Sequence, residues 1–121
     1  MKKHSIFLIL ILFSLFISGC KYDFILPVET PVIDNGGNPI SFATQIVPIF
    51  ADKCISCHAT QAPQMNAAVA YAQLVPQYVN TGSPETSKLY INASSGNHYA
   101  KVSATQAALI LTWIKEGAKN N

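Results

Sequence analysis

The 121 residues predict one small all-α domain carried behind an N-terminal export segment. Three observations lead there. The C-terminal stretch carries a Ser-x-x-Gln capping box at Ser103 and Gln106, an apolar face of Ala107, Ile110, Leu111 and Ile114, and a stop at Gly117. Phe42, Ile46, Val47, Ile49 and Phe50 recur at helical spacing. Strand signals are sparse, with Tyr78-Val79 and Leu89 to Ile91 the only short candidates. There is no internal repeat, and a domain of this size benefits from a cofactor or a covalent staple.

Composition narrows the function. Half of the residues are hydrophobic and 12% are charged, but the apolar share is raised by the first twenty residues. All eight basic residues are lysines, against six acidic ones. Lys2 and Lys3 lie at the extreme N-terminus; without them the two signs balance. The lysines are scattered and form no stripe that would track a phosphate backbone, so nucleic acid is excluded as a partner. Ample hydrophobicity and the absence of long charge runs exclude a disordered chain.

Residues 1–19 read as an export signal. Ile6 to Ile17 is an apolar run of twelve residues broken only by Ser14, behind two lysines. That is too short for a transmembrane helix, which needs roughly 20 residues, and it suits a secretory signal core. Ile17-Ser18-Gly19-Cys20 then resembles a bacterial lipoprotein signal, which implies cleavage before Cys20 and acylation of its sulfur and new amino group. More than one acyl chain gives stable anchoring where a single chain is marginal. Lys21 rather than aspartate follows, so the expected location is the outer membrane, facing the periplasm. Residues 20–40 read as a lipidated cysteine and a tether, because Pro27, Pro31, Pro39 and Asn35-Gly36-Gly37-Asn38 oppose regular helix. An alternative packs Phe24 to Leu26 on the domain as an extra strand.

The domain spans residues 41–121. Its first helix covers the Phe42 to Phe50 run, with Pro48 in a first turn where its missing N–H is harmless. Ala67 to Val75 is rich in helix formers and is expected to stop at Pro76. Irregular loops are expected from Pro76 to Val102, and the capped helix closes the chain. Asp52, Glu85 and Glu116 are isolated carboxylates, expected to be solvated; no catalytic set is apparent.

The cysteines carry the functional content. Apart from Cys20 there are two, in Cys54-Ile55-Ser56-Cys57-His58, the Cys-x-x-Cys-His spacing of covalent haem attachment. Thiols three residues apart on a helical turn can each add to one haem vinyl group, and the adjacent His58 can bind iron as proximal ligand. Three rival readings exist. A thioredoxin-like redox pair requires a βαβ context. A zinc site would have to use Cys54, Cys57, His58 and His98, an unusual spacing. A structural disulfide would leave the histidine unused. The export signal favours haem, since bacterial c-type attachment takes place outside the cytoplasm.

With these residues in view, a resemblance can be stated. Val47-Pro48-Ile49-Phe50, the haem motif, Ala70 to Val75, Gly82 to Tyr90 and Ser103 to Asn121, ending Trp113-Ile114-Lys115-Glu116-Gly117-Ala118, resemble small monohaem cytochrome c domains of the planctomycete-type group. The resemblance spans roughly Ser41 to Asn121. It implies a cytochrome c-like fold in which the first and last helices cross at one haem edge, with Phe50, Ile110, Trp113 and Ile114 packed at the crossing. It also implies one heme c, held by Cys54, Cys57 and His58.

The departure from that group is the distal ligand. Members commonly present a methionine on the loop before the last helix. Here Ser94 to Val102 contains none, and the only methionine after the signal is Met65, seven residues past His58. Met65 is expected in the core or against the haem and is the weaker candidate ligand. His98, forty residues after His58, is the leading one; Tyr99, Lys101 and an open sixth site are the others. Two histidines would give a lower reduction potential than histidine with methionine. Ser94, Ser95 and Gly96 are small enough to leave a haem edge near solvent. The expected function is single-electron transfer between envelope redox proteins, donor and acceptor, by a lipid-anchored carrier. A haem-based sensor and a haem subunit of a larger oxidoreductase are the alternatives. The oligomeric state has no signal in the sequence.

Overall fold

The structure, a computed structural model, describes residues 31–121 apart from Asn97, Tyr99 and Ala100. The export segment 1–19, Cys20 and Phe24 to Leu26 lie outside the described residues. Among the described residues every regular element is helical, so the class is all-α. A π-helical turn, Phe42–Ile46, runs into α1, Val47–Lys53, and then α2, Ile55–His58. After a loop come α3, Ala70–Tyr78, a 3-10 turn, Pro84–Thr86, α4, Lys88–Ser94, and α5, Ala104–Lys115.

Local chemistry explains the first and last of these. The Ser41 hydroxyl accepts from the Thr44 N–H at 3.3 Å and caps the first run. Pro48 cannot donate to the carbonyl four residues back and would crowd it; the wider π turn, with Val47 N–H bonded to the Phe42 carbonyl, precedes it directly. Pro48 thus sits in the first turn of α1, as expected. At α5 both halves of the capping box form: Gln106 N–H donates to Ser103 Oγ at 3.2 Å, and Ser103 N–H to Gln106 Oε1 at 3.0 Å. The helix ends in a Schellman motif. Ala118 N–H bonds to the Trp113 carbonyl and Gly117 N–H to the Ile114 carbonyl, with Gly117 at φ +96°.

The first run and α5 pack around Trp113. Phe42 lies 5.2 Å from Trp113 and 5.2 Å from Tyr71, edge-on to the latter. Phe50, Ile110, Trp113 and Ile114 are all buried, at 0–1% exposure. The chain after α5 turns back and fastens this seam. Trp113 Nε1–H donates to the Lys119 carbonyl and Tyr71 O–H to the Ala118 carbonyl, both at 2.9 Å. Phe42 N–H donates to Asn121 Oδ1, and Ala43 N–H to the Asn121 carbonyl, each at 2.9 Å. Donors at the start of a helical run lack partners within it, and here Asn121 supplies them.

Several expectations are corrected. The helix read from Ala67 starts at Ala70, after a turn closed on the Asn66 carbonyl. It continues through residue 76 to Tyr78, with Leu74 buried and Tyr78 packed on the core. Packing outweighs the local cost of a proline there. Leu89 to Ile91 is not a strand but part of α4, where Leu89 and Ala93, one turn apart, are buried. The stretch from Pro76 to Val102 is therefore more regular than expected. Glu116 is exposed, as expected, but not isolated: its Oε2 accepts from Ile40 N–H at 2.6 Å. Ile40 is 1% exposed and Ile33 packs on the core, so the packed unit reaches into the segment read as tether. Glu85 and Asp52 are exposed, paired with Lys115 and Lys53 at 2.9 and 2.8 Å.

Two substitutions test the α5 termini by thermal unfolding. Ser103→Ala removes the cap and is expected to cost about 1 kcal/mol. Gly117→Ala meets no steric obstacle, since a Cβ there has nothing within 4 Å, and is expected to cost about 1–2 kcal/mol through its left-handed backbone alone. Each kcal/mol corresponds to roughly 4–8 °C in Tm for a domain of this size.

Candidate functional site

The site is built outward from the turn after α1. Cys54 N–H bonds to the Phe50 carbonyl at 2.9 Å, and His58 N–H returns to the Cys54 carbonyl at 2.9 Å. One helical turn thus joins Cys54 to His58, with Cys57 between them. The following loop comes back on itself: Met65 N–H bonds to the His58 carbonyl at 2.9 Å, and Gln64 N–H donates to Gln73 Oε1 of α3 at 2.6 Å.

That loop orients the imidazole. His58 Nδ1 is 3.0 Å from the Pro63 carbonyl oxygen. The oxygen can only accept, so Nδ1 carries the hydrogen of this bond, and in the neutral ring Nε2 is then the nitrogen with the lone pair. A backbone carbonyl holding the second ring nitrogen is the usual support of a metal-binding histidine.

His58 faces a cleft that opens to solvent. Phe50, Pro63, Met65, Leu74, Tyr78, Leu89, Ala93, Val102 and Ile110 give it apolar walls. The polar lining is Cys54, His58, His98, Asn92, Lys53 and Lys101. Two lysines line the cleft among the described residues, and one of them, Lys53, is paired with Asp52 at 2.8 Å.

The structure brings most of the expected residues together. Cys54, His58, Met65 and His98 all line this cleft. The His58 and His98 ring centres are 6.0 Å apart, tilted by 50°. Two imidazoles on one metal, through bonds of roughly 2 Å with each ring centre ~1 Å further back, stand about 6 Å apart. The separation of the two ring centres is of that size. Met65 is 9% exposed and belongs to the core while lining the cleft. Cys57 is exposed and is not among the lining residues. Tyr99 lies outside the described residues.

The rival readings find little. Cys54 and Cys57 are free thiols, and no strand occurs among the described residues to build a βαβ unit. No group of three or more His, Cys, Asp or Glu among the described residues is placed to hold a metal ion, which leaves the four-ligand zinc set unassembled. No helix among the described residues is long and apolar enough to cross a membrane.

Some site residues have no signal in the sequence. Pro63 and Gln73, which hold His58 and its loop, are unremarkable by spacing. Lys53 could be found only as the lysine next to Cys54, and Tyr78 and Asn92 only through the fold. No known protein family matches the chain, and no curated protein or solved structure matches it either.

The two thiols differ in environment. Burial pushes the Cys54 thiol up, and the nearby Lys101 ammonium pulls it partly back. Cys54 is therefore protonated at neutral pH and shielded. In protein produced without haem maturation, iodoacetamide is expected to label exposed Cys57 several-fold faster than Cys54, since reactivity follows thiolate fraction and access. Mass spectrometry of timed samples reads this out; equal rates would contradict it.

Proposed function

We propose that this chain is a lipid-anchored monohaem c-type cytochrome that passes single electrons between redox proteins of the cell envelope. In this reading the all-α domain is cytochrome c-like, Cys20 carries the lipid, and the protein sits at the outer membrane facing the periplasm. The observation that carries it is the Cys54-Ile55-Ser56-Cys57-His58 spacing on one helical turn, of which Cys54 and His58 line an apolar cleft with the His98 ring 6.0 Å from that of His58.

Each residue has a role. Cys54 and Cys57 hold the group by thioethers, and His58 offers Nε2 as proximal ligand while Pro63 keeps Nδ1 protonated. His98 is the distal ligand, ahead of Met65. Lys53 and Lys101, the lysines that line the cleft, would pair with the carboxylates of the group. Heme c supplies an iron that changes oxidation state by one electron. The apolar walls exclude water and favour the less charged, reduced state, whereas two imidazoles pull the potential down relative to a methionine-ligated site. The chain is read as a carrier rather than an enzyme.

A second reading, a haem-based sensor, is favoured by one observation. His98 is exposed on its segment, which suits a ligand that can be displaced. Carbon monoxide binding to the reduced protein separates the two: a carrier with His98 held in place binds it slowly or not at all.

The first test is the visible spectrum of the protein made with a c-type maturation system and reduced with dithionite, alongside a denatured sample. Sharp low-spin bands and haem that stays with the denatured chain are expected; loss of all haem would overturn the proposal. His98→Ala is expected to keep the covalent haem and shift the ferric form to high spin. An unchanged low-spin spectrum in that variant would remove His98 as ligand and leave Met65 to be tested in the same way.

A further inference from the structure

The His98 segment leaves α4 through a contact that only glycine permits. Gly96 N–H bonds to the Ile91 carbonyl at 2.7 Å, and the Ser95 N–H shares that same oxygen at 2.9 Å. The chain is thereby folded down on the last turn of α4. A Cβ built on Gly96 would lie 2.7 Å from Asn92 Cα, 2.7 Å from Asn92 Oδ1 and 3.2 Å from the Ile91 carbonyl oxygen. Two of these three neighbours are backbone, so no side-chain rotation relieves the overlap. Gly96 does not have the positive φ of Gly36, Gly37 and Gly117; what it needs is space, not a left-handed backbone. Asn92, the residue it presses on, itself lines the cleft. Two residues on, the His98 carbonyl accepts from Lys101 N–H at 2.9 Å, closing a turn around His98.

We propose that Gly96 is the positioning residue for the distal ligand: its bare Cα against Asn92 sets the path by which His98 reaches across the cleft from His58. This rests on the haem reading above. Any side chain at residue 96 lifts the segment off α4 and carries the His98 imidazole away from the 6.0 Å separation, while Cys54 and His58, elsewhere in the lining, keep their places. Gly96 touches no reacting atom; its effect passes wholly through His98.

The experiment compares full-length haem-loaded wild type, His98→Ala, Gly96→Ala and Gly82→Ala by ferric visible and electron paramagnetic resonance spectra. Gly82 is the control glycine, where a Cβ meets only the Asn80 Oδ1 side-chain atom, at 3.4 Å. Gly96→Ala is expected to keep covalent haem and become wholly or partly high-spin like His98→Ala, returning to low spin when imidazole is added. Gly82→Ala is expected to stay low-spin. A general loss of stability would lower Tm without changing spin state or creating imidazole rescue. Should Gly96→Ala fail to fold, inserting one glycine between Gly96 and Asn97 leaves the Asn92 contact intact but lengthens the path to His98, and the same spectral change is expected. If His98→Ala is high-spin but Gly96→Ala, or the insertion, stays low-spin, the positioning role is overturned and the haem reading stands. If His98→Ala is itself low-spin, or no covalent haem forms, the ligand or haem reading fails and the positioning role with it.

Discussion

The seam between the first helical run and α5 governs the rest of the molecule. Trp113, with 0% exposure, sits in it with Phe42 against its ring, and its indole N–H is anchored on the Lys119 carbonyl. A buried tryptophan removes a large apolar area from water, and truncating one costs about 3–5 kcal/mol. In a domain this small that is a large part of the whole stability. The same seam aligns the site. α1 leads directly into Cys54, and the His98 segment leads into α5, so closing the seam places the two walls of the cleft. The tail beyond α5 then locks it: Ala118 receives the Tyr71 hydroxyl and Asn121 receives the donors of Phe42 and Ala43.

The cleft separates two kinds of work. Its walls are apolar, which favours a flat hydrophobic ligand and raises the cost of leaving charge there unpaired. Its charged lining is two lysines, of which Lys53 is paired with Asp52 outside the lining. The metal-facing chemistry is confined to two imidazoles. One is held firmly, His58, with Nδ1 bound to Pro63 in a loop tied to α3 through Gln73. The other, His98, is exposed and held through the α4 terminus. A firmly held imidazole thus stands across the cleft from a less secured one.

Much of the fold was legible where the signal is local. The capping box of Ser103 and Gln106, the stop at Gly117 and the place of Pro48 all concern groups within a few residues of one another, and they formed as expected. Errors arose where packing overrode propensity. Leu89 to Ile91 looks like a strand by residue type, but Leu89 and Ala93 share one buried helix face. Residue 76 looks like a helix end, yet Leu74 and Tyr78 carry α3 past it. Glu116 looks isolated because its partner, the Ile40 N–H, is 76 positions away.

By itself the sequence determined the short-range chemistry: a helical turn that sets two thiols and an imidazole together, and the caps that begin and end α5. Hydrogen bonds and spacings of three or four residues decide these, and they are written in the chain. Only the tertiary structure decided that His98 meets His58, that Pro63 selects the His58 tautomer, that Lys53 and Lys101 share a cleft, and that Gly96 must be bare against Asn92. Each joins segments whose separation along the chain is set by loops. Their meeting depends on which apolar faces bury one another, and no local pattern records that.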